Sequence, residues 1–233
     1  MNKQKIKIDI VSDINCPWCY LGEKRLQKAM AEAGDNFDFE INFKPFELSP
    51  NAPAEGEKKE DYFIRNYGKE ALQRLDAGNR QLKEMGQAEG AIFNFEKSPV
   101  IHNTFNGHRL IWLAEKYGVQ EAVANALFES NFTEGKNVND HEQLKQIGIE
   151  HGIPAEKLEN FFSTTEGVEE VRAMESWAQR SGINGVPAFI FNDKYMVSGA
   201  QPAETLKSVF GQVAPALEEI KTDGPSCGPD GNC

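Results

Sequence analysis

Long apolar runs, positive charge and cysteine are all in short supply in this chain. No stretch approaches the roughly 18 to 20 consecutive apolar residues of a membrane-spanning helix. Lys3, Lys5 and Lys7 could begin a secretory leader, but Asp9 and Asp13 interrupt the apolar segment that should follow. With 25 Lys and Arg against 36 Asp and Glu, the net charge is −11. Binding to phosphates needs a basic face, so this balance argues against nucleic acid or an anionic membrane as the main partner. The expected compartment is the cytoplasm. Cysteine occurs only four times in 233 residues. In a reducing compartment a persistent structural disulfide is not expected, so a close cysteine pair points to catalysis or metal binding. No internal repeat is present.

One such pair stands out. Cys16-Pro17-Trp18-Cys19 follows a β-branched run of Ile6, Ile8, Ile10, Val11 and Ile14, which reads as a buried strand. A helical pattern comes next, with Leu21, Leu26, Ala29, Met30 and Ala33 at near-helical spacing and Gly34 as the stop. Pro17 suits the first helical turn because its missing N–H would have no partner there. Cys16 therefore sits where unpaired backbone N–H groups and the helix dipole favour a thiolate. Phe37, Phe39, Ile41 and Phe43 then alternate with polar residues up to Pro45, a strand with one buried face. Strand, CxxC, helix and strand open a thioredoxin-like βαβ unit.

From about Phe46 to Arg180 the pattern is helical, with no convincing strand. Residues 58–87 are densely charged and carry Phe63, Ile64, Leu72, Leu75, Leu82 and Met85 at helical steps. Further helices are expected over 104–117 and 120–132, after an Asp140 cap with Gln143 as its box partner, after Pro154, and up to Gly182. Strands return at Ala188–Phe191 and Tyr195–Val197, joined by Asn192-Asp193-Lys194 as a hairpin turn. A last helix follows Pro202, with Leu206, Val209, Phe210, Val213 and Leu217 on one face. The expectation is an α/β protein: a discontinuous thioredoxin-like domain over 1–45 and 181–219, an inserted helical domain over 46–180, and a Gly- and Pro-rich tail over 220–233.

Four stretches carry a family resemblance: Asp13 through Gly22, Asn103-Thr104 through His108-Arg109-Leu110, Gly182-Ile183 through Gly185-Val186-Pro187, and Ser198-Gly199-Ala200-Gln201-Pro202. With them the chain resembles the DsbA-like thiol-disulfide oxidoreductases, most closely their cytosolic FrnE-like branch. The resemblance implies that Cys16 is the nucleophile and Cys19 the resolving thiol. It also implies that Pro187 is a cis-proline opposite them, presenting the backbone of Val186 to an extended substrate. By the same resemblance the helix bearing His108 and Arg109 lines the groove over Cys16, where a cation would favour the thiolate. No metal and no cofactor beyond the redox-active disulfide is implied, with glutathione as a possible co-substrate. Partners would be thiol- or disulfide-containing proteins or small molecules.

Thiol–disulfide exchange runs through a mixed disulfide on Cys16 that Cys19 resolves. Its direction depends on thiolate stability: lowering a thiol from about 8.5 to about 3.5 shifts the couple by ~100 mV toward oxidant. Several residues keep two readings. Asp13 is a proton relay for Cys19 or a strand-end cap; Trp18 is a substrate platform or plain packing; His102 and His108 line the groove or hold their helix. The tail pair Cys227 and Cys233 is an auxiliary redox couple, half of a zinc site with the CxxC, or two exposed thiols without function. A glutathione-dependent isomerase of the 2-hydroxychromene-2-carboxylate type is an alternative function on the same fold. Such enzymes typically use a serine-led motif, so Cys16 and Cys19 weigh against it. The other alternative is a binding protein or chaperone that uses the groove without turnover.

Overall fold

In the computed structural model, which describes residues 3–214, strand β1 (Gln4–Ser12) runs into helix α1 (Pro17–Ala33) and returns as β2 (Phe37–Pro45). β1 and β2 pair in parallel, with Ile8 opposite Ile41 and Ile10 opposite Phe43. Thus the alternation of apolar and polar residues in β2 acts as a strand beside a strand buried along most of its length. α1 crosses over between the two and ends at Gly34, whose φ of +66° is the left-handed backbone that a side chain would strain.

The chain then builds its helical layer: β3 (Glu57–Lys58), α2 (Lys59–Tyr67), α3 (Ala71–Glu89), β4 (Val100–Ile101), α4 (Phe105–Glu115), α5 (Gln120–Glu129), α6 (His141–Glu150), α7 (Ala155–Leu158) and α8 (Val168–Arg180). It re-enters the sheet as the hairpin β5 (Ala188–Phe191) and β6 (Tyr195–Ser198) and closes with α9 (Ala203–Val213). The sheet order is β2-β1-β5-β6, with β5 antiparallel to both neighbours. In the hairpin turn Asn192 and Asp193 both take positive φ, 49° and 57°, as residues that tolerate this region do in tight turns. The Asn192 side chain is bonded to the Lys7 N–H and to Val213 O, at 2.9 Å each, which pins the turn to β1 and α9.

Three expectations change. The charged run 58–87 is two helices, broken at Gly68, where φ is +81°. The stretch expected to hold no strand contains β3 and β4, which pair antiparallel over two residues each. The helix expected over 120–132 stops as an α-helix at Glu129 and continues as a π-helical turn, Ser130–Glu134. The Asp140 cap is present, its carboxylate accepting the Gln143 N–H at 2.8 Å. The return arm of a capping box is not used, because the Asp140 N–H goes to Asn137 O.

The sheet and the helical layer share one apolar core. Ile6, Ile8, Ile10, Phe43, Phe189 and Phe191 of the sheet are in one buried cluster with Leu110 and Leu113 of α4, Leu127 of α5, Leu144 of α6 and Phe210 of α9. Each such side chain removed from water contributes on the order of 1.5–3 kcal/mol. No helix among the described residues is long and apolar enough to cross a membrane. The expectations for Leu217, the tail 220–233, Cys227 and Cys233 fall outside the described residues.

Candidate active site

The end of β1 and the start of α1 place the cysteine pair. Asp13 closes β1, its backbone carbonyl accepting the Cys16 N–H at 2.9 Å. Cys16 itself is the N-cap of α1, in extended conformation, and Pro17 occupies the first helical turn. Both thiols are free. They are buried, Cys16 at 4% and Cys19 at 2% exposure, in a cluster with Tyr20, Leu21, Phe93, Phe128 and Phe132, against which Trp18, Phe95 and Val186 pack. Tyr20 stacks on Phe128 with ring centroids 5.6 Å apart. Trp18 thus combines packing with partial exposure.

Opposite the pair lies the loop before β5. The Val186–Pro187 peptide is cis, and the Cys16 thiol donates to Val186 O at 3.6 Å. Pro187 O accepts the Gly199 N–H at 2.8 Å. α1 approaches this loop closely because Gly22 has no side chain: a Cβ there would stand 3.1 Å from Pro187 Cγ and 3.2 Å from Phe189 Cζ. Beside the loop is an open cavity of about 410 Å³ lined by residues 182–187 with Met196, Ser198 and Gly199. Cys16 therefore sits at a helix start, against the loop whose residues line this cavity.

The two thiols differ electrostatically. The Cys19 thiol is pushed well above its ordinary range, first by burial, then by its hydrogen bond to Cys16 and the charge there, with the Asp13 carboxylate adding to the effect. The Asp13 backbone opposes this. Asp13 is wholly buried, Oδ1 accepting the Asn15 N–H at 3.2 Å and Oδ2 the Leu48 N–H at 2.7 Å. Neither reading of Asp13 at the sequence level included Leu48, which lies after β2.

His108 and Arg109 correct the groove expectation. His108 is buried on α4 against Asp13, its Nε2 at 3.4 Å from Asp13 Oδ1. Arg109 is also buried and points into the helical layer, donating to the carbonyls of Phe161, Thr164 and Glu166 and stacking on the Phe161 ring. A guanidinium committed to three carbonyls organises the α7–α8 connection instead of receiving substrate. His102 is half-buried. Its backbone carbonyl accepts from Asn15 Nδ2 at 2.6 Å, and burial together with Lys59 lowers the affinity of its ring for a proton.

Several supporting residues carry no sequence signal of their own. Asn131, in the π-helical turn, donates to Ile14 O at 2.9 Å and so braces the turn that carries Cys16. Beyond it Ser98 links to Lys59, whose ammonium donates to Ser98 O at 2.6 Å and is lowered by burial to about 8. A second cavity, of about 630 Å³, lies there, lined by Lys59, Leu75, Arg80, Lys83, Phe95 and Pro99 among others.

A family model for the DSBA-like thioredoxin domain matches residues 7–211. The chain belongs to this DsbA-like family of thiol-disulfide oxidoreductases. A probable DsbA oxidoreductase from Streptomyces coelicolor is 33% identical and covers 97% of each chain, with a TM-score of 0.81. Two more distant structures share the fold. A 2-hydroxychromene-2-carboxylate isomerase has 20% identity and a TM-score of 0.68 over 88% of this chain and 95% of its own. The cytosolic disulfide reductase DsbM from Pseudomonas aeruginosa has 16% identity and a TM-score of 0.62 over 88% and 97%.

Proposed function

We infer that this protein is a thiol-disulfide oxidoreductase that cycles Cys16 and Cys19 between dithiol and disulfide on exposed protein or small-molecule thiols. The observation that carries this reading is the placement of Cys16: a free thiol at the N-cap of α1, 3.6 Å from Val186 O, with Cys19 one helical turn behind it in a drier position. A substrate disulfide entering the groove meets Cys16 first. Attack by the Cys16 thiolate gives a mixed disulfide, and Cys19 then displaces the substrate thiolate. The backbone of Val186 and the groove beside Pro187 offer main-chain contacts to an extended substrate, with Pro17 and Trp18, next to Cys16, as further contacts. Asp13 is the base that takes the Cys19 proton. Glutathione fits as a small co-substrate, and a DsbM structure solved with GSH supports that class of ligand. That reductase is cytosolic, which supports a cytoplasmic setting here. The isomerase alternative draws on fold likeness alone, while the paired thiols favour exchange.

Cys16→Ser should abolish reduction of insulin and of glutathione disulfide. Cys19→Ser should accumulate mixed disulfides visible as mass adducts. Turnover that survives in Cys16→Ser, or isomerase activity with no exchange activity, overturns the reading.

A further inference from the structure

Behind the resolving thiol, buried ionisable side chains stand in line. Asp13 lies just before the cysteine turn, its backbone carbonyl accepting the Cys16 N–H at 2.9 Å, and its charge acts on the Cys19 thiol. Beside it is His108 of α4, whose Nε2 is 3.4 Å from Asp13 Oδ1 without hydrogen-bond alignment, so that this buried nitrogen has no hydrogen-bond partner. Glu47, on the segment after β2, interacts electrostatically with His108. Its Oε2 accepts from Arg172 of α8 while its Oε1 is buried and unpartnered. The same segment is tied to Asp13 directly, through the Leu48 N–H. Glu175 of α8 shares Arg172 at 2.7 Å and also keeps one buried oxygen without a partner. Lys44 of β2 borders a small cavity, about 10 Å³, that reaches His108.

Asp13 and His108 are both buried, and the imidazole nitrogen that stands 3.4 Å from the Asp13 carboxylate is committed to no other group. A proton that reaches Asp13 therefore has an imidazole beside it to share it with.

We propose that His108 is a positioning residue for disulfide exchange: it takes over, through Asp13, the proton that Cys19 releases. The proposal rests on the exchange reading above. In the mixed disulfide, Cys16 Sγ is bonded to a substrate sulfur. Cys19 gives its proton to the Asp13 carboxylate, and its thiolate forms the bond to Cys16 Sγ. The bond to the substrate sulfur breaks, and the electron pair leaves on the substrate thiolate. The dithiol is oxidised by two electrons, the substrate disulfide is reduced, and the proton passes from Asp13 to His108.

The aryl disulfide dithiobis(nitrobenzoate) separates the steps, because it releases one coloured thiolate when Cys16 attacks and a second when Cys19 resolves. All arms carry Cys227→Ser and Cys233→Ser so that only the CxxC reacts, and each variant is first shown to fold by far-UV circular dichroism. In His108→Gln the first phase should stay within about twofold. The second should slow by about tenfold near neutral pH, its profile displaced upward and converging with the parent at high pH, where hydroxide removes the proton. His108→Asn should displace the second-phase profile in the same assay. A second phase with parental rate and profile in both variants overturns the proposal alone. A parent without a first phase overturns the exchange reading, and the proposal with it.

Discussion

Cys16 and Cys19 are separated by a single helical turn, yet their surroundings differ. Cys19 is buried, hydrogen-bonded to Cys16 and within reach of the Asp13 charge, so its thiolate is disfavoured. Alkylation follows the thiolate fraction. A short pulse of iodoacetamide between about pH 6 and 8.5 should therefore modify Cys16 first. Cys19 should react only as the pH rises well past the ordinary thiol range or after unfolding. Peptide mass spectrometry reads this directly, and equal rates at the two thiols would contradict the assigned roles. At this scale the cysteine pair and its place at a helix start were legible in the sequence, because CxxC after a β-branched strand announces itself. Of their supporters, Asp13 was marked as a proton relay or a cap and His108 as a groove or helix residue, but not as a pair, because they come from separate segments. Asn131 was missed, since it reaches the Cys16 turn from a π-helical turn that an α-helical pattern does not reveal. Arg109 was set over the groove by resemblance alone, and its partners, backbone carbonyls far along the chain, carry no local sequence signal.

At the level of elements, α1 meets α5 through a buried carboxyl group. Glu23 is 2% exposed; its Oε1 accepts from Asn125 Nδ2 at 2.7 Å, and its Oε2 has no partner. Burial, with Glu121 and Glu129 nearby, holds Glu23 well above the usual carboxylate range, against the pull of Lys24. The sign follows. Below the unfolded carboxyl pKa both states are protonated and nothing is lost. As pH rises past it the unfolded chain ionises while the folded one does not, so stability falls until the folded group also titrates. Glu23→Gln should therefore leave stability near pH 4 unchanged and raise it by about 1 kcal/mol near pH 7.5, the usual scale for a buried polar group relieved of its cost. Urea midpoints at the two pH values check it, and a gain of equal size at both would refute the titration argument. Element by element, periodicity located β1, α1, β2, the hairpin and α8, each long or regular enough to show its period. The β3–β4 pair stayed hidden because two residues carry no period. Gly68 was overlooked as a break because helical spacing resumes on either side of it.

Over the whole molecule, the sheet and the helical layer were expected as two domains, but their apolar residues interleave in one cluster. Leu110 of α4 is fully buried in the same cluster as sheet residues such as Ile8 and Phe189. A shared core couples the two parts, since a cavity at its centre lowers packing for both. Leu110→Ala should cost about 2–5 kcal/mol, the range for truncating a fully buried leucine. The loss should appear equally in the two parts. Variants that keep a single tryptophan, either Trp18 beside the cysteines or Trp177 on α8, report the parts separately in denaturant titrations followed by fluorescence. Their midpoints should coincide with each other and with the far-UV circular dichroism transition. Leu110→Ala should move all three by the same amount. Two transitions, with Leu110→Ala shifting the Trp177 signal and leaving the Trp18 signal in place, would mean that the helical layer unfolds independently and that the shared cluster does not couple them.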